Sequence, residues 1–267
     1  MTTTTAEKSL LLLSLAVMRP GEFFDRLRTV ADCRLANSKQ PAVFYHPVDS
    51  VEGVDRISAA LDVNIHPWLN DFGCQQARGN LAACQAHAPS RGPFGACHNG
   101  DPLLARFCYA LARAIRPNVV VETGVCYGVT SSFTLRALSL NGAGHLHSID
   151  LPPLGRHGDR YVGSFIPADL RGRWTLHRGT TRRILGPLLR ETGPIDMFVH
   201  DSLHSYRNMK MEFDLAWAVL RPGGVVLSDD IEGNPAFEEL TQRPDAAVAI
   251  AMRSGEKNGF FGIAVKR

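Results

Sequence analysis

The chain is expected to fold as an α/β protein, with a mostly parallel sheet covered by helices on both faces. Three observations predict this. From about residue 100 onward, short apolar runs alternate regularly with helical patterns, as βα units do when they build a parallel sheet. Several of those runs end in acids, at Glu122, Asp150, Asp201 and Asp229-Asp230, and the carboxyl ends of strands are where open α/β sheets bind ligands. The length of 267 residues, with 45% hydrophobic and 21% charged, suits one large domain, or one domain with an N-terminal extension, and a substantial core.

Before residue 100 the pattern is irregular. A helix-like opening is followed by Lys39-Gln40-Pro41, a mixed stretch to Trp68 and a Gly/Cys/His-rich run from Phe72 to Gly100. Leu10 to Met18 is too short to span a bilayer. It is preceded only by Lys8 against Glu7, and no small-x-small cleavage site follows before Arg19-Pro20, so it reads as a helix rather than a signal segment. Asp101-Pro102 then opens a helix, with a capping acid ahead of proline at the first helical position. Leu104, Phe107, Cys108, Leu111 and Ile115 fall on one face until Arg116-Pro117 ends it.

Val119 to Glu122 is a short buried strand, and Thr130 to Leu140 is the helix after a glycine loop, closed by Asn141-Gly142. Further strands are expected at His145 to Asp150, Trp174 to His177, Ile195 to Asp201 and Val225 to Asp229. Met209, Phe213, Ala216, Trp217 and Leu220 keep helical spacing between the last two. Ala246 to Met252 and Gly259 to Val265, joined by residues 253–258, read as a closing antiparallel pair. Residues 151–167, rich in Gly, Pro and charge and carrying Arg156, His157 and Arg160, read as a mobile lid or as a solvated connection, with the second preferred.

The net charge of +3 comes without any long Lys/Arg block, so nucleic acid is not an implied partner. The six cysteines contain no C-x-x-C pair, and a chain of this length does not need disulfides. A cytoplasmic protein with reduced thiols is expected. Cys97-His98 with Cys74, Cys84 and His87 match no common zinc spacing, and small buried cysteines explain them better.

The most specific local signal is Glu122-Thr123-Gly124-Val125-Cys126-Tyr127-Gly128, leading into a helix near Thr130. A strand, a glycine turn and a helix start present free N–H groups and a positive helix end to an anionic ligand group. A nicotinamide-binding turn would show G-x-G-x-x-G, whereas Cys126 takes the middle place here and the spacing is G-x-x-x-G. Asp150 closes the next strand, where an acid can accept both hydroxyls of a ribose. Downstream, Asp196-Met197-Phe198-Val199-His200-Asp201 and Val225-Val226-Leu227-Ser228-Asp229-Asp230 can bring Asp201, Asp229 and Asp230 to one sheet edge. Three carboxylates with positions left for water and substrate suit Mg²⁺.

With these motifs the chain resembles the class I S-adenosylmethionine (SAM) methyltransferases, in the catechol-type or sugar O-methyltransferase-like branch that uses a divalent metal to methylate a hydroxyl. The resemblance covers roughly residues 100 to 267. It implies a Rossmann-like, doubly wound sheet of seven strands with the last one antiparallel. It assigns SAM to Glu122, Gly124, Val125, Gly128, Thr130, Asp150 and Asp201, with Gly179-Thr180-Thr181 lining the adenine pocket. It assigns Mg²⁺, or another divalent cation, to Asp201, Asp229 and Asp230. His204 stands three residues past Asp201, where that branch carries a lysine base and some sugar-modifying relatives a histidine, and it is the expected general base, since imidazole titrates near working pH. His200 points to the other face of its strand, with a structural role, while Tyr206 and Arg207 open the next helix.

The implied acceptor is a small molecule bearing a sugar or phenolic hydroxyl of a natural product. Residues 1–100 are expected to form a helical, partly irregular N-terminal extension to a methyltransferase domain over 101–267, and in the resembled family such an extension supplies substrate walls or oligomer contacts. Three other readings stay open. One is a metal-independent N- or O-methyltransferase, and a second is a non-catalytic SAM-binding partner. The third, a dehydrogenase, is disfavoured by the loop spacing.

Overall fold

Seven strands form one sheet: β1 (Val119–Thr123), β2 (His145–Asp150), β3 (Trp174–Arg178), β4 (Ile195–His200), β5 (Leu220–Ser228), β6 (Ala246–Arg253) and β7 (Phe260–Lys266). In the computed structural model, which describes residues 5–36, 43, 45–87, 100–155, 157–255 and 259–267, they run in the order β3-β2-β1-β4-β5-β7-β6. Strands β1 to β5 pair in parallel, and β7 is antiparallel to both β5 and β6. This is the expected seven-stranded, mostly parallel sheet with an antiparallel last strand. The order reverses between β1 and β4, and at such a switch point the two loops leave in opposite directions and open a crevice at the strands' carboxyl ends.

Alternation along the strands divides the core in two. Val120, Leu146, Met197, Val199, Val225 and Leu227 face one layer. Val121, Ile149, Phe198 and Val226 face the other. The first layer holds α5 (Pro102–Ile115) and α6 (Val129–Asn141). Helix α5 starts as its sequence demands: the Asp101 carboxylate accepts the N–H groups of Leu103 and Leu104 at 2.6 and 3.0 Å, and Pro102 follows. Arg116 ends it in the left-handed region, at φ 47°.

Two earlier helices, α3 (Ser50–Leu61) and α4 (Phe72–His87), belong to the same layer. Val54, Ile57, Cys74, Ala77 and Leu81 are buried in one cluster with Leu104, Phe107 and Phe133. Residues 50–87 therefore cover the sheet rather than standing apart from it. The expected helical character of the N-terminal extension is seen here, although Gly73 and Gly79 lower the helical signal of α4; Gly73 lies so close to the Tyr109 ring that a side chain there would collide with it.

The opposite layer holds α8 (Thr181–Thr192), α9 (Tyr206–Val219) and the short α10 (Ala236–Thr241). Leu185, Leu188, Met209, Phe213, Trp217 and Phe237 fill it. Among the described residues no helix is long and apolar enough to cross a membrane.

The described residues of the segment 151–167 pack partly against the glycine turn, with His157, Asp159, Arg160 and Ser164 exposed. The segment carries the single turn α7 (Gly158–Tyr161), buries Val162, Phe165 and Ile166, and stacks Phe165 on Tyr127 with centroids 4.9 Å apart. The Gly163 and Phe165 N–H groups donate to the Cys126 and Tyr127 carbonyls at 2.9 and 2.8 Å, so this loop buttresses the glycine turn. Arg156, Cys97 and His98 lie outside the described residues.

The first two helices, α1 (Thr5–Met18) and α2 (Pro20–Ala36), pack on each other as a hairpin. Helix α2 reaches across the carboxyl edge of the sheet, held by ion pairs. Glu22 meets Arg178 at 2.6 Å, Asp32 meets Arg182 at 2.6 Å and Arg207 at 3.4 Å, and Asp25 meets Arg183 at 2.9 Å.

Candidate active site

A cavity of about 640 Å³ opens at the switch point, between the carboxyl ends of β1, β2 and β4 and the overlying α2. Gly124, Val125 and Cys126 line it from the turn after β1, and Ile149, Asp150 and Leu151 from the end of β2. Gly179 to Arg182 contribute the third wall, Asp201 to His204 with Asn208 the fourth, and Asp230 closes the edge after β5.

The glycine turn has a steric cause. Gly124 sits at φ +81°, and a Cβ there would overlap the Asp201 carbonyl. That crowding follows from the strand ends meeting: the Asp201 N–H donates to the Thr123 carbonyl at 2.8 Å and the Gly124 N–H to the Ile149 carbonyl at 2.9 Å. Gly128, at φ +91°, caps α6. It lies behind the cavity wall against Ile166 and Gly163.

Asp150 is the acid that binds this turn. Its Oδ2 accepts the N–H groups of Val125 and Cys126, both at 2.9 Å. Burial raises its pKa, and the two N–H bonds oppose that. The carboxylate lines the cavity at the end of β2.

Glu122 is placed differently from the direct cofactor contact that the resemblance assigns to it. It is buried behind the turn, accepting the hydroxyls of Thr130 at 2.7 Å, Ser131 at 2.6 Å and Ser148 at 2.7 Å. Burial raises its pKa against the pull of those hydroxyls. Thr130 is likewise buried, its hydroxyl spent on Glu122. Glu122, Thr130 and Gly128 thus tie β1, β2 and α6 together rather than lining the cavity.

Besides Asp150, the strand-end acids Asp201 and Asp230 face the cavity, and His204 stands between them. Its Nε2 is 3.9 Å from Asp201 Oδ1 and its Nδ1 is 3.8 Å from Asp230 Oδ2. Asp230 adopts φ +45°, a strained conformation that turns it into the cavity. Asp229 does not join them. The left-handed turn at Asp230 separates the two side chains, and Asp229 is 1% exposed. It faces inward, where its charge, after burial itself and those of Glu122 and Asp201, helps push up the Cys108 thiol. Among the described residues no group of three His, Cys, Asp or Glu side chains could hold a metal ion. Of the expected set, the structure brings Asp201 and Asp230 to His204, and we assign no step to a metal.

A polar network behind β4 was not foreseen. Glu212 of α9 is buried and accepts from Thr123 Oγ1 at 2.6 Å, Ser202 Oγ at 2.8 Å and Asn208 Nδ2 at 2.7 Å. Its Oε2 also lies 2.7 Å from His200 Nδ1. Burial acts to raise the Glu212 carboxyl, but His200 and the hydroxyl bond outweigh it and hold it below the usual range. His200 is structural, as expected, and its ring meets His204 edge-on with centroids 5.2 Å apart. Asn208 also donates to the Leu203 carbonyl at 3.0 Å, fixing the turn that presents His204. The motif His200-x-x-x-His204 followed by Asn208 and Glu212 at helical spacing was the available signal.

Tyr206 lies outside the cavity lining and donates its hydroxyl to Glu239 at 2.8 Å. Arg207 pairs with Asp32. The roof is α2, from which Asp25, Arg26, Leu27 and Asp32 reach the cavity.

With this geometry in place, comparison with known proteins is informative. Residues 121–231 match the family described as methyltransferase domain. The fold is shared with an O-methyltransferase from Bacillus cereus solved with SAH, at 19% identity and a TM-score of 0.54, covering 81% of this chain and 97% of that one. It is also shared with the O-methyltransferase TomG from Streptomyces achromogenes, involved in tomaymycin synthesis and solved with SAM, at 21% identity and a TM-score of 0.54, covering 74% of this chain and 90% of that one. No curated protein matched in a separate sequence search. The chain has the class I methyltransferase fold, and the matched segment runs from β1 through the acids of the cavity.

Proposed function

We propose that this chain transfers a methyl group from SAM to a hydroxyl of a small molecule, with His204 as general base. The observation that carries this reading is the placement of His204 between Asp201 and Asp230, in the same cavity as Asp150 and the Gly124 turn.

The residues fit the cofactor. Asp150 engages the turn through Oδ2 alone, and its carboxylate is placed to accept ribose hydroxyls. Gly179 and Thr180 line the adjoining wall, where the purine is expected, and Ile149 and Leu151 give it apolar contact. Gly124 and Val125 lie where the amino-acid end would reach. When bound, SAM supplies a methyl carbon on a sulfonium, whose leaving group is a neutral thioether.

The protein must align the acceptor and remove its proton. One imidazole nitrogen of His204 takes the hydroxyl proton, while the other faces a carboxylate that stabilises the imidazolium. Asn208 and Glu212 hold the turn, so the ring is positioned before the acceptor arrives. Helix α2 roofs the cavity and, with residues 101–267 as the catalytic domain, supplies the acceptor wall. The acceptor class we favour is a sugar or phenolic natural product, with the enzyme acting in the cytoplasm.

The test is a pH–rate profile of methyl transfer in wild type and His204→Gln, run with and without EDTA. An acidic limb that His204→Gln abolishes, with turnover unaffected by EDTA, supports this reading. A limb that persists in the variant refutes His204 as base. Turnover lost to EDTA and restored by Mg²⁺ would mean that Asp201 and Asp230 work through a divalent cation, as the resembled branch does.

A further inference from the structure

Three histidines converge on one face of the sheet, and none of them lines the cavity. His145 and His147 are two residues apart on β2, so their side chains leave the same face, and His177 stands on the neighbouring β3. All three are partly exposed at the border of the sheet, where β3 is the last strand. His147 Nδ1 lies 3.1 Å from His177 Nε2, with ring centroids 5.4 Å apart and planes inclined by 31°. Two neutral imidazoles that face each other in this way share one proton, one nitrogen donating and the other accepting. The same span suits a cation in the proton's place. Two nitrogens each ~2.0–2.1 Å from one metal ion are about 2.9 Å apart at a right angle and about 3.3 Å apart at a tetrahedral one.

We infer that His147 and His177 form a metal site separate from the cavity, a two-histidine chelate for a late first-row divalent ion such as Zn²⁺, Ni²⁺ or Cu²⁺, with water completing the coordination. Imidazole nitrogen selects these ions over Mg²⁺ and Ca²⁺, which take oxygen ligands. Burial holds both rings below their ordinary pKa of 6.5, so at neutral pH they carry the uncharged form that a metal requires. The surrounding charges favour this pair over the third ring. Glu191, on α8, acts on His147 and His177 in the sense that stabilises a positive charge, whereas Arg173 acts on His145. His145 supports the site from one side: its Nε2 is 2.8 Å from Thr175 Oγ1, and its ring packs on His147 with centroids 4.8 Å apart. A chelate of two protein ligands is consistent with there being no three-residue metal group among the described residues. An ion bridging the two rings ties the border strand β3 to β2 a few residues before Asp150 and Gly179, which line the cavity.

Calorimetric titration of the full chain, carrying no affinity tag, with ZnCl₂ and NiCl₂ is the test. Wild type should bind these ions at this site in the presence of excess Mg²⁺. His147→Asn and His177→Asn should each weaken that binding at least about 10-fold, and His145→Asn should weaken it less. Cys33→Ser, at an exposed thiol, and His204→Gln should leave it unchanged. Because the three rings are partly exposed, the asparagine variants should keep their circular dichroism, which separates lost binding from lost folding. Two further readouts report the site itself. Electron paramagnetic resonance of Cu²⁺ on wild type should show coupling to two imidazole nitrogens, reduced to one in either variant. Amide exchange in β2 and β3 should slow when Zn²⁺ is added, with β6 and β7 unchanged. A wild type that binds none of these ions, binding that survives in both His147→Asn and His177→Asn, or binding lost in His204→Gln or Cys33→Ser instead would each overturn the inference. None of these outcomes bears on the proposed methyl transfer, because metal binding is measured without cofactor or acceptor.

Discussion

Glu22→Gln should loosen the roof of the cavity without unfolding the protein. Glu22 lies on α2, its side chain 9% exposed, and meets Arg26 at 2.7 Å and Arg178 at 2.6 Å. Burial alone would raise its pKa, but the bonds and charges of Arg178 and Arg26 more than reverse this and hold it at about 2, against an ordinary 4.5. At ~1.4 kcal/mol per pKa unit, that depression is worth about 3 kcal/mol, and solvent screening of the partly exposed Arg178 reduces it to about 2–3 kcal/mol. Because the pair joins α2 to β3, the loss falls on the docking of α2. Amide exchange measured by mass spectrometry should therefore speed up roughly 30- to 150-fold in α2, with β4 and β5 unchanged. The pH dependence has a definite sign. A carboxyl whose folded pKa is depressed stabilises fully above its unfolded value and loses that contribution as pH falls, so wild-type α2 should lose protection between about pH 4.5 and 2 while the variant shows no such step. Unchanged exchange in α2, or an equal rise in the central strands, would refute the assignment of Glu22 as the latch.

Gly124→Ala should abolish cofactor binding and destabilise the fold by several kcal/mol, since it places a methyl against the Asp201 carbonyl at a φ of +81°; a variant that melts and binds SAH as wild type would contradict the packing described. Glu212→Ala removes the acceptor shared by Thr123, His200, Ser202 and Asn208, and urea melts should show a loss of at least about 3 kcal/mol from the donors left unpaired, whereas a loss under about 1 kcal/mol would mean that the network is dispensable. His145, His147 and His177 share one face of β2 and β3, with His147 Nδ1 3.1 Å from His177 Nε2. Burial lowers all three pKa values below 6.5; neighbouring cations add to this at His145 and His147, and Glu191 opposes it at His147 and His177. The unfolded chain thus binds protons first, so the melting temperature should fall as pH drops below about 6.5, and His147→Asn should flatten that slope. A slope identical to that of wild type would assign the loss to other groups.

The doubly wound sheet was readable from the chain because its strands are buried on both faces and its helices are amphipathic. Met197 to Val199 and Val119 to Val121 had to be continuous apolar runs. The missed elements are those whose pattern carries a second demand. Helix α8 contains Pro187 and begins at Thr181, so its start read only as a pocket loop. Helix α4 carries Gly73 because Tyr109 leaves no room for a side chain. At the site, sequence placed Asp150, Asp201, Asp230 and His204 at one edge correctly, because strand ends dictate that edge. Side-chain direction was harder. Asp229 and Asp230 are neighbours, yet the left-handed turn at Asp230 sends one into the cavity and leaves the other beneath it. Glu122 looked available until the hydroxyls of Thr130, Ser131 and Ser148 were seen to converge on it from two other elements. Contacts of that kind depend on tertiary packing, which no local pattern encodes.

Calorimetric titration with SAH, in wild type and Asp150→Ala, addresses the central reading most directly. The cavity at the ends of β1, β2 and β4 should bind SAH but not NAD, and Asp150→Ala should weaken SAH at least about 10-fold, the loss of one charge-assisted hydrogen bond or more. Wild type that binds NAD in preference to SAH, or an Asp150→Ala variant that binds SAH as tightly as wild type, would contradict it.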